Sequence, residues 1–206
     1  MIQHGPLLER LLAGEFICQI SDEDSYRHLQ HEQTRQDINH FLRPLNRRLA
    51  HSSDGSVYFL AYHELHKTAR EHLSQQFAQT MQSLLPLLEW MQLVQEALGR
   101  DGALTAGDTI KLQEFVLKTE DNQSLRQRLS ALASDRFFNS QSDAPDNQIK
   151  QVFRRLKEKG YLLQPHSERQ YYIVTGKIDY LIELIRFIRD EEHLPVDDTP
   201  TQEPLL

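Results

Sequence analysis

A single cysteine, Cys18, stands in a chain of 206 residues, which excludes an internal disulfide and a zinc site assembled from the chain's own cysteines. It reads as a small hydrophobe suited to burial, with no special role. No run of about 18 apolar residues occurs, so no membrane-crossing helix is expected. The N-terminus lacks a charged segment followed by an apolar one, so no signal peptide is expected and the cytoplasm is the default address. Phosphate loops of the GxxxxGK[ST] and GxGxxG kinds are missing, and so is a GxSxG elbow. Nucleotide hydrolysis and serine hydrolase chemistry therefore lack their physical parts. The expectation is a protein that is not an enzyme and carries no cofactor or metal.

Positive charge is also scarce. The formal net charge is −7, and the segment from Asp190 to Leu206 holds six acids with no Lys or Arg, which leaves the rest of the chain near −1. That segment, interrupted by Pro195, Pro200 and Pro204, is too acidic and too poor in aromatics to order itself, and reads as a disordered tail. Between Asp143 and Arg189 the balance reverses, with nine Lys or Arg against six Asp or Glu. A modest basic patch of this kind predicts weak, salt-sensitive phosphate contact at most.

What is present is helical periodicity with short strands between. Ile149, Val152, Phe153 and Leu156 fall at i, i+3, i+4 and i+7, one face of a helix, with Lys150, Arg154 and Lys157 opposite. Gly160 stops that helix, and a cap is expected at Asp143 or Asp146. Tyr161 to Gln164 and Arg169 to Val174 then form a hairpin. Helix, glycine stop and hairpin together give the pattern of a winged helix. An earlier stretch repeats it. Leu7, Leu8, Leu11 and Leu12 make a helical stripe; Phe16 to Ile20 a short strand; and Ser21, with Asp24 three residues on, a capping box for the next helix. Ile38, Leu42, Leu45 and Leu49 recur at helical spacing from Thr34 to Ala50, and Asp54-Gly55 before Val57 to Leu60 signals a second hairpin.

Between the two lies a helical block from about Glu64 to Leu98, in which Pro86 either kinks the helix or opens a new one. Its broad apolar face, including Phe77, Met81, Leu84, Leu88 and Met91, exceeds what two small domains can cover and predicts a homodimer or partner contact. Ile110 to Leu117 restart helical packing and Leu125, Leu129 and Leu132 continue it. The last helix, about Lys177 to Arg189, presents Ile178, Leu181, Ile182, Ile185 and Ile188 to the second hairpin domain. The fold expected is mainly α with short β-hairpin wings: a winged helix at 1–62, a helical segment at 63–100, a second winged helix at 101–189 and the tail at 190–206.

Candidate nucleic-acid contacts are Lys150, Arg154, Arg155, Lys157 and Arg169 on the second unit, and Arg43 and Arg47 on the first. For each helix, the solvated face of an amphipathic helix is the ordinary reading of its basic residues. Phe137-Phe138 reads as core rather than as a partner anchor, and Trp90 as packing. His63, Glu64, His66 and His72 are the densest ligand-like cluster. The spacing is not HExxH, and surface histidines are the ordinary reading.

Val152-Phe153-Arg154-Arg155-Leu156-Lys157-Glu158-Lys159-Gly160-Tyr161, Leu184 to Pro195 and Leu11-Leu12-Ala13-Gly14-Glu15-Phe16-Ile17-Cys18 resemble the MksE and MukE families, the small non-SMC subunits of bacterial condensins. MksE is the nearer in length and in the N-terminal segment, and the likeness spans most of the chain. The resemblance implies a tandem winged-helix protein that dimerises, binds a kleisin subunit (MksF/MukF-like) and joins an SMC ATPase (MksB/MukB-like). ATP chemistry would then belong to the partner. Chromosome organisation, segregation and plasmid defence are the duties it implies, with a cytoplasmic, nucleoid-associated location and DNA contact that is weak or confined to the complex. A tandem winged-helix transcription regulator is the competing reading, and a metalloenzyme built on His63 and His66 a third.

Overall fold

In the computed structural model, which describes residues 4–192, the chain builds two hydrophobic clusters, each under a three-stranded antiparallel sheet. The first begins with α1 (Gly5–Leu12), whose Leu7, Leu8 and Leu11 are buried. Gly14 turns the chain at φ +85° into β1 (Ile17–Cys18), followed by α2 (Glu23–Leu29) and α3 (Glu32–Leu42). The cap of α2 is Asp22, one residue after the expected Ser21: its carboxylate accepts from Ser25 N at 2.9 Å. The Ser21 hydroxyl instead donates to Phe16 O and accepts from Cys18 N.

The helix expected over Thr34 to Ala50 stops at Leu42. Pro44 has no N–H and its ring clashes with a preceding helical turn; a 3-10 turn, Arg43–Leu45, and Asn46 in the left-handed region (φ 55°) then redirect the chain. Arg47–His51 is a strand, β2, paired with β3 (Val57–Tyr62) in the register Arg47↔Tyr62 to His51↔Tyr58. Leu49 reaches the core from this strand, whereas Leu45, expected on the same face, is 56% exposed. The sheet order is β1-β3-β2, over Leu11, Ile17, Leu29, Ile38, Leu42 and Tyr58.

Helix α4 (Lys67–Leu98) is continuous through Pro86, which is buried within it; no new helix starts there. His66 caps it, Nδ1 accepting from Ala69 N at 3.2 Å, and Gly99 ends it at φ +60°. The second half then runs through β4 (Thr109–Lys111), α5 (Leu112–Glu120), α6 (Gln123–Ser134), α7 (Pro145–Glu158), β5 (Leu162–Leu163), β6 (Tyr171–Val174) and α8 (Gly176–Glu192). Ile110, expected in a helix, is the buried residue of β4. A three-residue strand is too short to show its period of two. Helix α7 opens on Ala144 with Pro145 in its first turn and no side-chain cap, in place of the expected Asp143 or Asp146.

The second sheet has the order β4-β6-β5, so in both halves the hairpin's second strand lies at the centre, paired on its other side with a strand that precedes the helices. Trp90, Phe115, Phe138 and Phe153 fill this core, all under 2% exposed, with Phe153 against the rings of Phe115, Tyr172 and Trp90. Phe138 is core, as expected of the Phe137-Phe138 pair, and Phe137 packs against it.

Helix α8 closes the molecule and touches both halves. Ile178 and Leu181 enter the second core, with Ile182 and Ile185 packed beside them. From the same helix Tyr180 lies against Phe16 and Phe59 of the first half, at 5.1 and 4.8 Å between centroids, and the Glu183 carboxylate accepts from Ser53 N at 3.1 Å. Gly176 N donates to the Cys18 thiol at 3.3 Å. The first three residues of the acidic segment, 190–192, continue α8; the remainder of the expected disordered tail, 193–206, lies outside the described residues.

Candidate functional site

Helix α4 is covered along only part of its length. Leu87, Trp90, Met91, Leu93 and Val94 are buried in the second core, while residues 71–79 are exposed on every side. Its apolar line continues past the edge of the core through Leu73, Phe77, Met81 and Leu85, which are 38, 49, 36 and 75% exposed. Of the residues read as a partner face, Phe77 and Met81 are open to solvent, Leu84 and Leu88 are half-buried, and Met91 is buried. Leu73 and Leu85, which belong to the same apolar face in the sequence, complete the open part of it. Between His72 and Glu89 there is no Asp, Glu, Lys or Arg, so this surface is apolar and amide-rich.

The α7 face carries Lys150, Arg154 and Lys157 outward, as its spacing predicts. Their donors already have partners. Lys150 Nζ is 3.6 Å from Asp146 and Arg154 Nε 3.7 Å from Glu158. Arg155 Nη1 donates to Glu158 at 3.1 Å and Lys157 Nζ to Gln164 at 3.0 Å, while Arg154 Nη2 reaches Gln151. Exposed pairs of this kind contribute about 0–1 kcal/mol each. They nonetheless lower the positive potential the face presents. Arg169 lies exposed in the hairpin loop, two residues before β6.

Arg43 and Arg47 do not share a helix. Arg43 lies in the 3-10 turn and Arg47 on β2, its guanidinium 3.6 Å from the centre of the Tyr62 ring. Arg48, on the opposite face of that strand, donates Nε to Tyr62 O at 3.3 Å. The histidine cluster lies beside them in structural roles: His66 caps α4 with Nε2 2.8 Å from Asn46 Nδ2, and His72 Nδ1 is 3.2 Å from the Tyr62 hydroxyl. Among the described residues, no three His, Cys, Asp or Glu side chains come together to hold a metal ion. No described helix is long and apolar enough to cross a membrane.

Where the halves meet, Lys177 points between Phe16 of the first and Tyr161 of the second, 4.8 Å from each ring centre, and donates to Lys159 O at 2.8 Å. Burial, and secondarily the Lys159 charge, pull its amine down to about 8. Burial pushes the Tyr161 phenol up to about 12. A lysine that releases its proton more readily folded than unfolded makes unfolding proton-consuming between about 8 and the ordinary lysine value. Stability from this group therefore rises with pH across that window, and below it the folded state carries the full penalty of the buried charge. Lys177→Met should flatten this rise: melting temperatures of variant and wild type, compared from neutral pH to pH ~10, should differ most at the neutral end. Parallel curves would show that the amine is solvated when folded.

A family model described as condensin complex protein MksE matches residues 3–186. No curated protein matches the chain.

Proposed function

We propose, on the premise that this chain belongs to the MksE family of condensin complex proteins, that it is a non-catalytic subunit that binds a kleisin and, through it, an SMC ATPase in chromosome organisation and segregation. Both halves are read as winged helices, at 1–62 and 101–189 with the helical segment 63–100 between them. The shared sheet order, β1-β3-β2 and β4-β6-β5, supports this reading. The family match gives the regulator reading no support.

The observation that carries the proposal is the uncovered half of α4. A chain in a multisubunit complex needs surface that is apolar and has no partner of its own, and the line Leu73, Phe77, Met81 and Leu85 provides it. A second copy is the first occupant. A two-fold contact lays identical surfaces face to face, where like charges would repel, and sixteen uncharged residues between His72 and Glu89 avoid that repulsion. At 1.5 Å per residue the open line from Leu73 to Leu85 is about 18 Å long, enough for about three turns of helix against helix.

Phe77→Glu with Leu85→Glu should reduce the solution mass from two chains to one at micromolar concentration and leave the helical content unchanged, since both side chains face outward from the single chain. An unchanged dimer mass would place self-association elsewhere. A wild type that is monomeric would remove this part of the reading.

A further inference from the structure

We infer that the turns of α4 from Leu73 to Gln82 are a hinge between the two halves, and that α8 is the latch that holds it straight. The hinge is a property of the single chain and stands whichever protein covers the open apolar line in the condensin-subunit reading.

The ends of α4 are anchored and its middle is not. At the start, His66 caps the helix and meets Asn46, Ala69 is buried, and the Tyr62 hydroxyl lies 3.2 Å from His72 Nδ1. From Ser83 onward buried residues return at every turn as the helix enters the second core. Between these anchors, from Leu73 to Gln82, no residue is buried. Helices in proteins draw most of their stability from packing. A bare stretch of this length is shorter than the ~12–15 residues at which an isolated helix becomes marginal in water.

Local chemistry weakens the same turns. No Asp, Glu, Lys or Arg lies between His72 and Glu89, so no i,i+4 ion pair supports them. Pro86 has no N–H to give the carbonyl of Gln82, one turn back, and its ring crowds that carbonyl. The hydroxyls of Thr80 and Ser83 donate to Gln76 O at 3.0 Å and to Thr80 O at 2.8 Å, a back-bonding that loosens and bends helices. Bare surface, missing charge pairs and a lost backbone donor thus coincide in the same few turns.

The second connection between the halves is α8. It is seated in the second core through Ile178 and Leu181, and meets the first half at Gly176, Tyr180 and Glu183. For the first half to leave that contact while α8 keeps its seat, α4 must bend, and the bare turns are where it is weakest. Bending of α4 and exposure of the Cys18 thiol, to which Gly176 N donates, are therefore one motion.

The test is hydrogen exchange of the full chain, read by mass spectrometry, with Cys18 alkylation followed on the same samples. Amides of Phe77 to Leu84 should exchange at least about a hundredfold faster than those of Trp90 to Ala97 once intrinsic rates are divided out. Gln75→Gly with Ala78→Gly changes two exposed positions of α4. It should raise both this exchange and the alkylation rate about tenfold, the helix-propensity loss of the pair. Gln75→Glu with Gln79→Lys adds an i,i+4 ion pair and should slow both. Slow exchange in the wild type that becomes fast in Phe77→Glu with Leu85→Glu would support the hinge and identify a second copy as its cover. Exchange as slow as in the core in both chains, or alkylation that the glycine pair leaves unchanged, overturns the inference. Neither result bears on the kleisin reading, which fails instead if the purified chain brings no kleisin with it.

Discussion

Gly176→Ala should lower the melting temperature by several degrees and open Cys18 to thiol reagents. A Cβ at position 176 would lie 2.7 Å from Val57 Cγ2, closer than real Cβ atoms approach, and a tight 3.0 Å from Cys18 Cβ. Both neighbours belong to strands of the first sheet, Val57 on β3 and Cys18 on β1, and neither is the free end of a long side chain. Either the sheet shifts or the start of α8 withdraws. Overpacking of this kind costs about 1–3 kcal/mol, and each kcal/mol moves the transition by about 2–4 °C in a chain of this size.

The thiol gives the second readout. Cys18 is 3% exposed and accepts from Gly176 N and Ser21 N, so reagents reach it only when α8 lifts. Faster alkylation in the variant, with its secondary structure intact, identifies separation of the halves rather than general unfolding. Gly102, whose added Cβ meets nothing within 4 Å, is the control, and Gly102→Ala should be near neutral. Equal alkylation rates in Gly176→Ala and wild type would mean that α8 does not hold the halves together.

That clamp was not legible in the sequence, for a physical reason. The period-3.6 stripe of Ile178, Leu181, Ile182 and Ile185 names one face of α8 and one partner. Tyr180 and Glu183, on its other side, look like ordinary solvated residues until Phe16, Phe59 and Ser53 come within reach. Cys18 reads correctly as buried, but the hydrogen bond that ties its thiol to α8 comes from Gly176, 158 positions away.

By contrast, α7 was legible because Ile149, Val152, Phe153 and Leu156 satisfy a helical period that no strand could use. The first hairpin was legible because Asp54-Gly55 marks a turn. The error over Thr34 to Ala50 arose because Leu42, Leu45 and Leu49 mimic helical spacing. A five-residue strand with one buried side chain, Leu49, has no alternation to set against it. Pro44 and Asn46 were the contrary signal. The candidate surfaces divide the same way: the α7 cations were placed from spacing alone, whereas their pairing with Asp146, Glu158 and Gln164 is a tertiary fact. On α4 the apolar line was visible, but which of its turns the second core covers depends on α5 and α6 packing against Leu87 to Ala97.

The largest effect is expected from the partner itself. A subunit whose exposed apolar line on α4 is meant to be covered should be recovered from cells in company, because an uncovered face of that size favours association. Mass spectrometry of the tagged chain, purified from its own cells at near-physiological salt, measures this most directly. Recovery of a kleisin and an SMC ATPase in defined ratio with the chain is the expected result, with the kleisin retained when the ATPase is washed away at higher salt. Recovery of the chain alone, or as a homodimer without either protein, would contradict the assignment of this molecule as a kleisin-binding condensin subunit.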